Sequence, residues 1–243
     1  MLEVRGLAKR YGALRALRGV SFSVGAGERI AMIGANGAGK TTCFNLLNGQ
    51  IAPDEGEIVL DGRSLVGLPP RRIWSRGVGR TFQVAQTFGS MTVQENVAVA
   101  LASAARRLSF FAGSLSREAG PAAALLEQVG MSAQANRRCS ALAYGDLKRV
   151  ELALALASRP RLLLMDEPTA GMAPGERAAL MQVAAAVAER ERLALLFTEH
   201  DMDVVFGFAT RVLVLHEGEL IASGPPEAVR SDPRVREAYL GDA

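Results

Sequence analysis

At 243 residues, with 49% hydrophobic and 22% charged side chains, the chain can bury a sizeable core as one large domain or one domain with a subdomain, and its composition excludes a mainly disordered protein. The net charge of +3 is spread over separate basic pairs (Arg71-Arg72, Arg106-Arg107, Arg137-Arg138, Lys148-Arg149), which reads as solvated surface rather than a nucleic-acid face. Cys43 and Cys139 have no Cys or His at metal-ligand spacing, no apolar run approaches the ~18–20 residues of a bilayer span, and the N-terminus lacks the apolar stretch of a signal peptide, so a cytoplasmic chain without zinc or disulfides is expected.

Taken in order, residues 2–4 and 20–24 alternate apolar and polar, the period of half-buried strands. Tyr11 falls between them, followed by Gly12; its ring can stack on a purine or simply pack on the surface or in the core. Gly25-Ala26-Gly27 marks a turn, and the apolar run 30–33 reads as a buried strand. Residues 34–42 then fit G-x-x-x-x-G-K-[ST], between that strand and a helical stretch starting at Cys43. Gly34, Gly37 and Gly39 let backbone approach a ligand closely, and the amides of Asn36, Ala38 and the first helical turn can face phosphate together with the helix dipole. Lys40 is expected over the β- and γ-phosphates of a nucleoside triphosphate, the Thr41 hydroxyl on Mg²⁺, and Thr42 beside it. Cys43 is expected to pack behind the loop as a small apolar residue.

After this loop, residues 57–60 read as a strand, 69–75 as a short helix and 77–83 as a strand ending in Gln83. The texture then becomes Ala- and Leu-rich and helical. Thr92 and Glu95 have the spacing of a capping box for a helix to residue 103, residues 121–129 form a second helix stopped by Gly130, and 146–157 a third with Leu147, Val150 and Leu154 on one face. The insert 104–119, with Phe110 and Phe111, can pack on these helices or contact a partner. The strand–helix alternation returns at residue 161: strand 162–167 ends in Asp166-Glu167, helix 174–190 follows, strand 193–197 ends at Thr198-Glu199-His200, and two strands and short helices close the chain.

Open α/β sheets bind ligands beyond the carboxyl ends of their strands, so the loop at 34–42, Gln83, Asp166-Glu167 and His200 can gather at one edge. There Asp166 can hold Mg²⁺, Glu167 can accept a proton from an attacking water, and His200 can hydrogen-bond the γ-phosphate or that water. His216 lacks such context and reads as structural.

The stretch Leu142-Ala143-Tyr144-Gly145-Asp146, ahead of a helix and of Asp166, is similar to the signature motif of ABC ATPases, usually L-S-G-G-Q. With the phosphate loop, Gln83, the acidic pair and His200 in the family order, the chain resembles an ABC transporter ATP-binding subunit along nearly its whole length. The resemblance implies an α/β P-loop NTPase core with an antiparallel β subdomain and an inserted α-helical subdomain. Residues 1–83 and 158–243 would form the core and β subdomain, and 84–157 the helical one. It further implies that Tyr11 stacks on adenine, that Gln83 senses Mg²⁺ and couples to the membrane subunit, that His200 is the switch histidine, and that Leu142, Ala143, Tyr144 and Gly145 contact the ATP of a second, head-to-tail subunit. ATP and Mg²⁺ are the implied ligands.

Three positions depart from the family pattern: Ala143 replaces the signature Ser, Asp146 the signature Gln, and Ala173 the Asp of the following loop. Together with Arg80-Thr81-Phe82-Gln83, Glu199-His200-Asp201-Met202 and the tail Ala238-Tyr239-Leu240-Gly241, they look like the ATPases of branched-chain (hydrophobic) amino acid importers, with urea and lipopolysaccharide-transport ATPases as related alternatives. Such a system implies a second ATPase subunit, a paralogue or another copy of this chain, with two membrane permeases, a substrate-binding protein, no nucleic acid, and a place on the cytoplasmic face of the inner membrane; a non-transport ABC protein is the remaining alternative.

Overall fold

The computed structural model describes residues 1–81, 87–105 and 116–240, the side chains of 239 and 240 excepted. Two sheets carry the fold. The first is antiparallel, in the order β2 (Leu14–Val24), β1 (Leu2–Tyr11), β4 (Glu55–Leu60), β5 (Arg63–Ser64). The second has the order β10 (Glu219–Gly224), β9 (Arg211–His216), β3 (Arg29–Ile33), β8 (Ala194–Thr198), β7 (Leu162–Asp166), β6 (Val78–Thr81). It is parallel except where β10 pairs with β9.

The central strands read as near-continuous apolar runs because both faces are covered, as expected for a parallel sheet. Ile30, Met32, Leu162, Leu164, Leu196 and Leu213 point into one core, shared with the antiparallel sheet and with Cys43, Phe44 and Leu47 of α1 (Lys40–Leu47). Their neighbours Ala31, Ile33, Leu163, Met165, Leu195 and Phe197 point into the other. That second core is closed by α3 (Val93–Ala104), α4 (Ala119–Gln128), α5 (Tyr144–Leu156) and α6 (Pro174–Glu191), while α2 (Pro70–Ser75) sits beside β6. The chain ends in α7 (Met202–Phe208), α8 (Pro226–Ser231), α9 (Pro233–Val235) and a turn of π-helix over Arg236–Leu240.

The Thr92–Glu95 capping box forms as expected: Thr92 Oγ1 accepts from the Glu95 amide and the Glu95 carboxylate accepts from the Thr92 amide. Three expectations change. The first strands are longer, so Tyr11 ends β1 rather than lying between strands, because register shifts let β1 bend while keeping its pairing with β2. The helix expected from residue 146 begins at Tyr144, with Ala143 as an extended N-cap; Gly145 is a poor helix former, but its bare Cα fits against the Glu176 side chain. On that helix Leu147 and Leu154 are only partly buried, whereas Val150, Leu152, Ala153 and Leu156 are buried, as is the ion pair Lys148–Glu151 at 2.9 Å, so α5 is enclosed on more than one face.

Phe44 is fully buried on α1 between the two sheets and backs the loop that precedes the helix. Phe44→Ala is expected to cost about 3–5 kcal/mol of stability, read by denaturant unfolding of the full chain.

Candidate functional site

The loop between β3 and α1 is shaped by close backbone approach. A Cβ at Gly34 (φ 154°) would lie 2.2 Å from the Leu215 carbonyl oxygen, and one at Gly39 (φ 107°) 2.6 Å from that of Ala16. The Gly218 amide donates to the Ala38 carbonyl at 3.0 Å, so β2 and the β9–β10 turn wall the loop from behind. Gly39 caps α1 without a side-chain hydrogen bond, which leaves first-turn amides directed into the cleft, the arrangement that binds anions at helix N-termini.

Lys40 is buried, and its ammonium donates to the carbonyls of Gly34 at 2.6 Å and Ala35 at 3.1 Å. Burial pulls its pKa below the usual lysine value, and the nearby carboxylates of Glu167 and Asp166 oppose that shift. Tyr11, Asn36, Gly37, Gly39, Lys40, Thr41, Thr42 and Glu167 line one cleft. Leu14, Arg15 and Arg18 on β2 and Glu217 line it too, and none of these was singled out from sequence. Gly34 and Ala38 shape the loop behind it and are buried.

Asp166 ends β7 and Glu167 follows it. Asp166 Oδ1 accepts from the Thr198 hydroxyl at 2.8 Å, and Asp166 Oδ2 pairs with Arg80 Nη2 at 3.1 Å. Glu167 leaves the strand with φ 47°, a left-handed conformation uncommon for a non-glycine residue, held by its amide donating to Thr198 Oγ1 at 3.0 Å. One carboxylate oxygen, Oε1, lies 3.0 Å from His200 Nε2. The neighbouring buried Glu199 accepts from the amide of Thr169 at 2.9 Å and from its hydroxyl at 2.6 Å, tying the turn after the acidic pair to the histidine. Asp201 caps α7 and pairs with Arg177 of α6, whose Nε donates to the Met172 carbonyl.

Among the described residues no group of three or more His, Cys, Asp or Glu could hold a metal by itself. The hydroxyl of Thr41 and the carboxylate of Asp166 are hard oxygen donors of the type Mg²⁺ takes when phosphate oxygens complete its shell. Gln83 lies outside the described residues, as do Phe110 and Phe111 and the tail glycine Gly241. Leu142, Ala143, Tyr144 and Gly145 stand at the start of α5 and are not among the residues lining the cleft. Cys43 is buried behind the loop, its thiol pushed up to about 12 by desolvation, which agrees with a packing role.

Comparison with known proteins agrees with this geometry. The family described as ABC transporter matches residues 17–170. The chain belongs to the ABC transporter ATP-binding family. The description "branched-chain amino acid ATP-binding cassette transporter" matches residues 219–243 of this ATPase subunit. The chain is 41% identical to the high-affinity branched-chain amino acid transport ATP-binding protein LivG of Salmonella typhimurium, over 100% of this chain and 98% of that protein. Identity is again 41%, with the same coverage, to BraF of Pseudomonas aeruginosa, which carries the same description. The crystal structure of the ADP conformation of an ATP-binding cassette of an ABC transporter superposes with a TM-score of 0.87 at 30% identity, covering 100% of this chain and 99% of that one. The fold is thus that of a nucleotide-binding ABC ATPase, and among the described residues no helix is long and apolar enough to cross a membrane.

Arg177 holds the Asp201 carboxylate below the usual range, helped by the amides it caps and opposed by desolvation. A carboxylate depressed on folding stabilises the native state above its unfolded pKa and stops doing so as pH falls through the folded one. Asp201→Asn, which keeps a capping oxygen, is therefore expected to be less stable than the parent at neutral pH, with the gap closing as pH is lowered below the ordinary Asp range, measured by thermal melts across pH.

Proposed function

We propose that this subunit binds and hydrolyses ATP with Mg²⁺ to energise import of branched-chain or other hydrophobic amino acids. The observation that carries the chemistry is the convergence of Lys40, Asp166, Glu167 and His200 at one sheet edge, with Glu167 and His200 3.0 Å apart. Thr41 and Asp166 would hold Mg²⁺, with Gln83 as a further ligand, and the metal would supply neutralisation of phosphate charge. Tyr11 stacks on the adenine. Lys40, released from the Gly34 and Ala35 carbonyls, and the amides of residues 34–42 bind the phosphates. Glu167 takes the proton of the attacking water, and His200 orients Glu167 or the γ-phosphate.

On this reading residues 84–157 form the helical subdomain, and Leu142, Ala143, Tyr144 and Gly145 present the N-terminus of α5 to ATP held by a second subunit. The partner is a paralogous ATPase in a head-to-tail dimer. Two permeases and a binding protein complete the transporter, and the subunit works at the cytoplasmic face of the inner membrane. The solute class is supported by the full-length similarity to LivG and BraF, which favours amino acids over urea or lipopolysaccharide.

Glu167→Gln is expected to retain ATP binding and slow hydrolysis by about 10²–10⁴-fold, measured as phosphate release by the complex assembled with its membrane subunits. Wild-type turnover in that variant would remove Glu167 from the role of base, and tight ATP binding without any hydrolysis by the unmutated complex would overturn the ATPase reading. Lys40→Ala is expected to lose affinity for a fluorescent ATP analogue on titration; unchanged affinity would displace the phosphates from the loop. In reconstituted vesicles, ATP-dependent uptake of leucine checks the solute, and stimulation only by urea or another solute would reassign it.

A further inference from the structure

Arg80 stands on β6, between residues that are buried, and its own side chain is only 9% exposed. Its guanidinium ties β6 to two other parts of the site. Nη2 donates to Asp166 Oδ2 at 3.1 Å at the end of β7, and Nη1 donates to Asn45 Oδ1 at 2.8 Å on α1, the helix that the phosphate loop enters. With Thr198 donating to Oδ1, each oxygen of Asp166 has a partner in the protein, and one of these is a full positive charge in a site where Asp166 is itself only 15% exposed.

A neutral donor such as an amide could orient the carboxylate equally well. Arginine does something an amide cannot: it stays charged at every working pH and offsets the negative charge of its partner in a region where water screens poorly. Asp166 and the phosphate-loop helix are thus fixed to one planar group on β6.

We propose that Arg80 is a positioning residue for the ATPase reaction, which holds Asp166 in place and weakens its pull on the divalent cation so that metal and nucleotide are bound no more tightly than turnover allows. The proposal rests on the reading that Asp166 faces Mg²⁺ bound with ATP. Removal of the guanidinium charge leaves Asp166 a stronger ligand, tightens the metal–nucleotide complex and slows release of its product form.

The test is the half-saturating concentration of Mn²⁺, a paramagnetic stand-in for Mg²⁺, followed by electron paramagnetic resonance on the full chain in the presence of a non-hydrolysable ATP analogue. Arg80→Met and Arg80→Gln are expected to lower it by about tenfold, while Arg80→Lys, which keeps the charge, stays within about twofold of the parent. Arg80→Gln keeps one neutral N–H donor group at this position and decides the matter if Arg80→Met fails to fold. In an Asp166→Asn background the shift is expected to vanish. An unchanged or raised half-saturation in Arg80→Gln, a shift in Arg80→Lys equal to that in Arg80→Met, or a shift that persists with Asp166→Asn would each overturn the proposal while leaving the ATPase reading intact. Absence of nucleotide-dependent Mn²⁺ binding in the unmutated chain would overturn both.

Discussion

The hydroxyl of Thr198 is the point from which the acidic end of the site is hung. It is wholly buried at the end of β8, in register with Asp166 on one side and Met32 on the other. It donates to the Asp166 carboxylate and accepts from the Glu167 amide. Both bonds depend on β7 and β8 being parallel and in step, because a shift of one residue would turn Thr198 to the opposite face of the sheet. The left-handed backbone of Glu167 costs on the order of 1–3 kcal/mol, and surroundings that satisfy its amide are what keep such a conformation in place. The strain turns the Glu167 side chain away from the strand line toward His200 on the next strand-end, so two adjacent carboxylates face different partners.

The two carboxylates then meet different basic partners. Asp166 is drawn toward Arg80 and Thr198, and Glu167 toward His200, while Lys40 lies close enough to both carboxylates for them to oppose the burial that lowers its pKa. On the proposed reading the dipeptide offers Asp166 to the metal and Glu167 to the proton, because one residue ends a strand and the next leaves it. Glu199 extends the link one step further: it is buried and accepts from the amide and hydroxyl of Thr169, which ties the turn after Glu167 to the residue before the histidine.

Much of this was legible in sequence where the chemistry is local. The phosphate loop, the capping box at Thr92 and Glu95, and the apolar runs of the central strands are defined by residues within a few positions of one another, so spacing alone reveals them. The convergence of Asp166, Glu167 and His200 follows from the rule that parallel strands deliver their carboxyl ends to one edge. The parts that escaped are long-range. Arg80 with Asp166, Thr198 with Glu167, Glu199 with Thr169 and Arg177 with Asp201 join residues far apart in the chain, and nothing in the spacing of an arginine or a threonine shows which carboxylate it will meet. Arg15 and Arg18 escaped for a related reason: on an alternating strand they look like ordinary solvent-facing residues until β2 is placed behind the phosphate loop.

The signature stretch is the place where the isolated chain and the proposed activity pull apart. The loop side of the cleft is built within this subunit, but α5 begins elsewhere, with Tyr144 43% exposed and its ring 5.6 Å from the Lys148 ammonium. An exposed aromatic at the N-terminus of an otherwise enclosed helix has little to gain from water and much from a covering surface. Ala143 offers no hydroxyl, so what this end of α5 can give a phosphate is the helix N-terminus and the close approach allowed by Gly145, which already packs against Glu176. Recognition through amides rather than a side-chain hydroxyl depends on where the helix points, and hence on how two subunits are set against each other. On the proposed reading, the loss of the serine therefore moves the burden of γ-phosphate sensing from one side chain to the geometry of the dimer, which is the quantity a transporter must couple to its membrane partners.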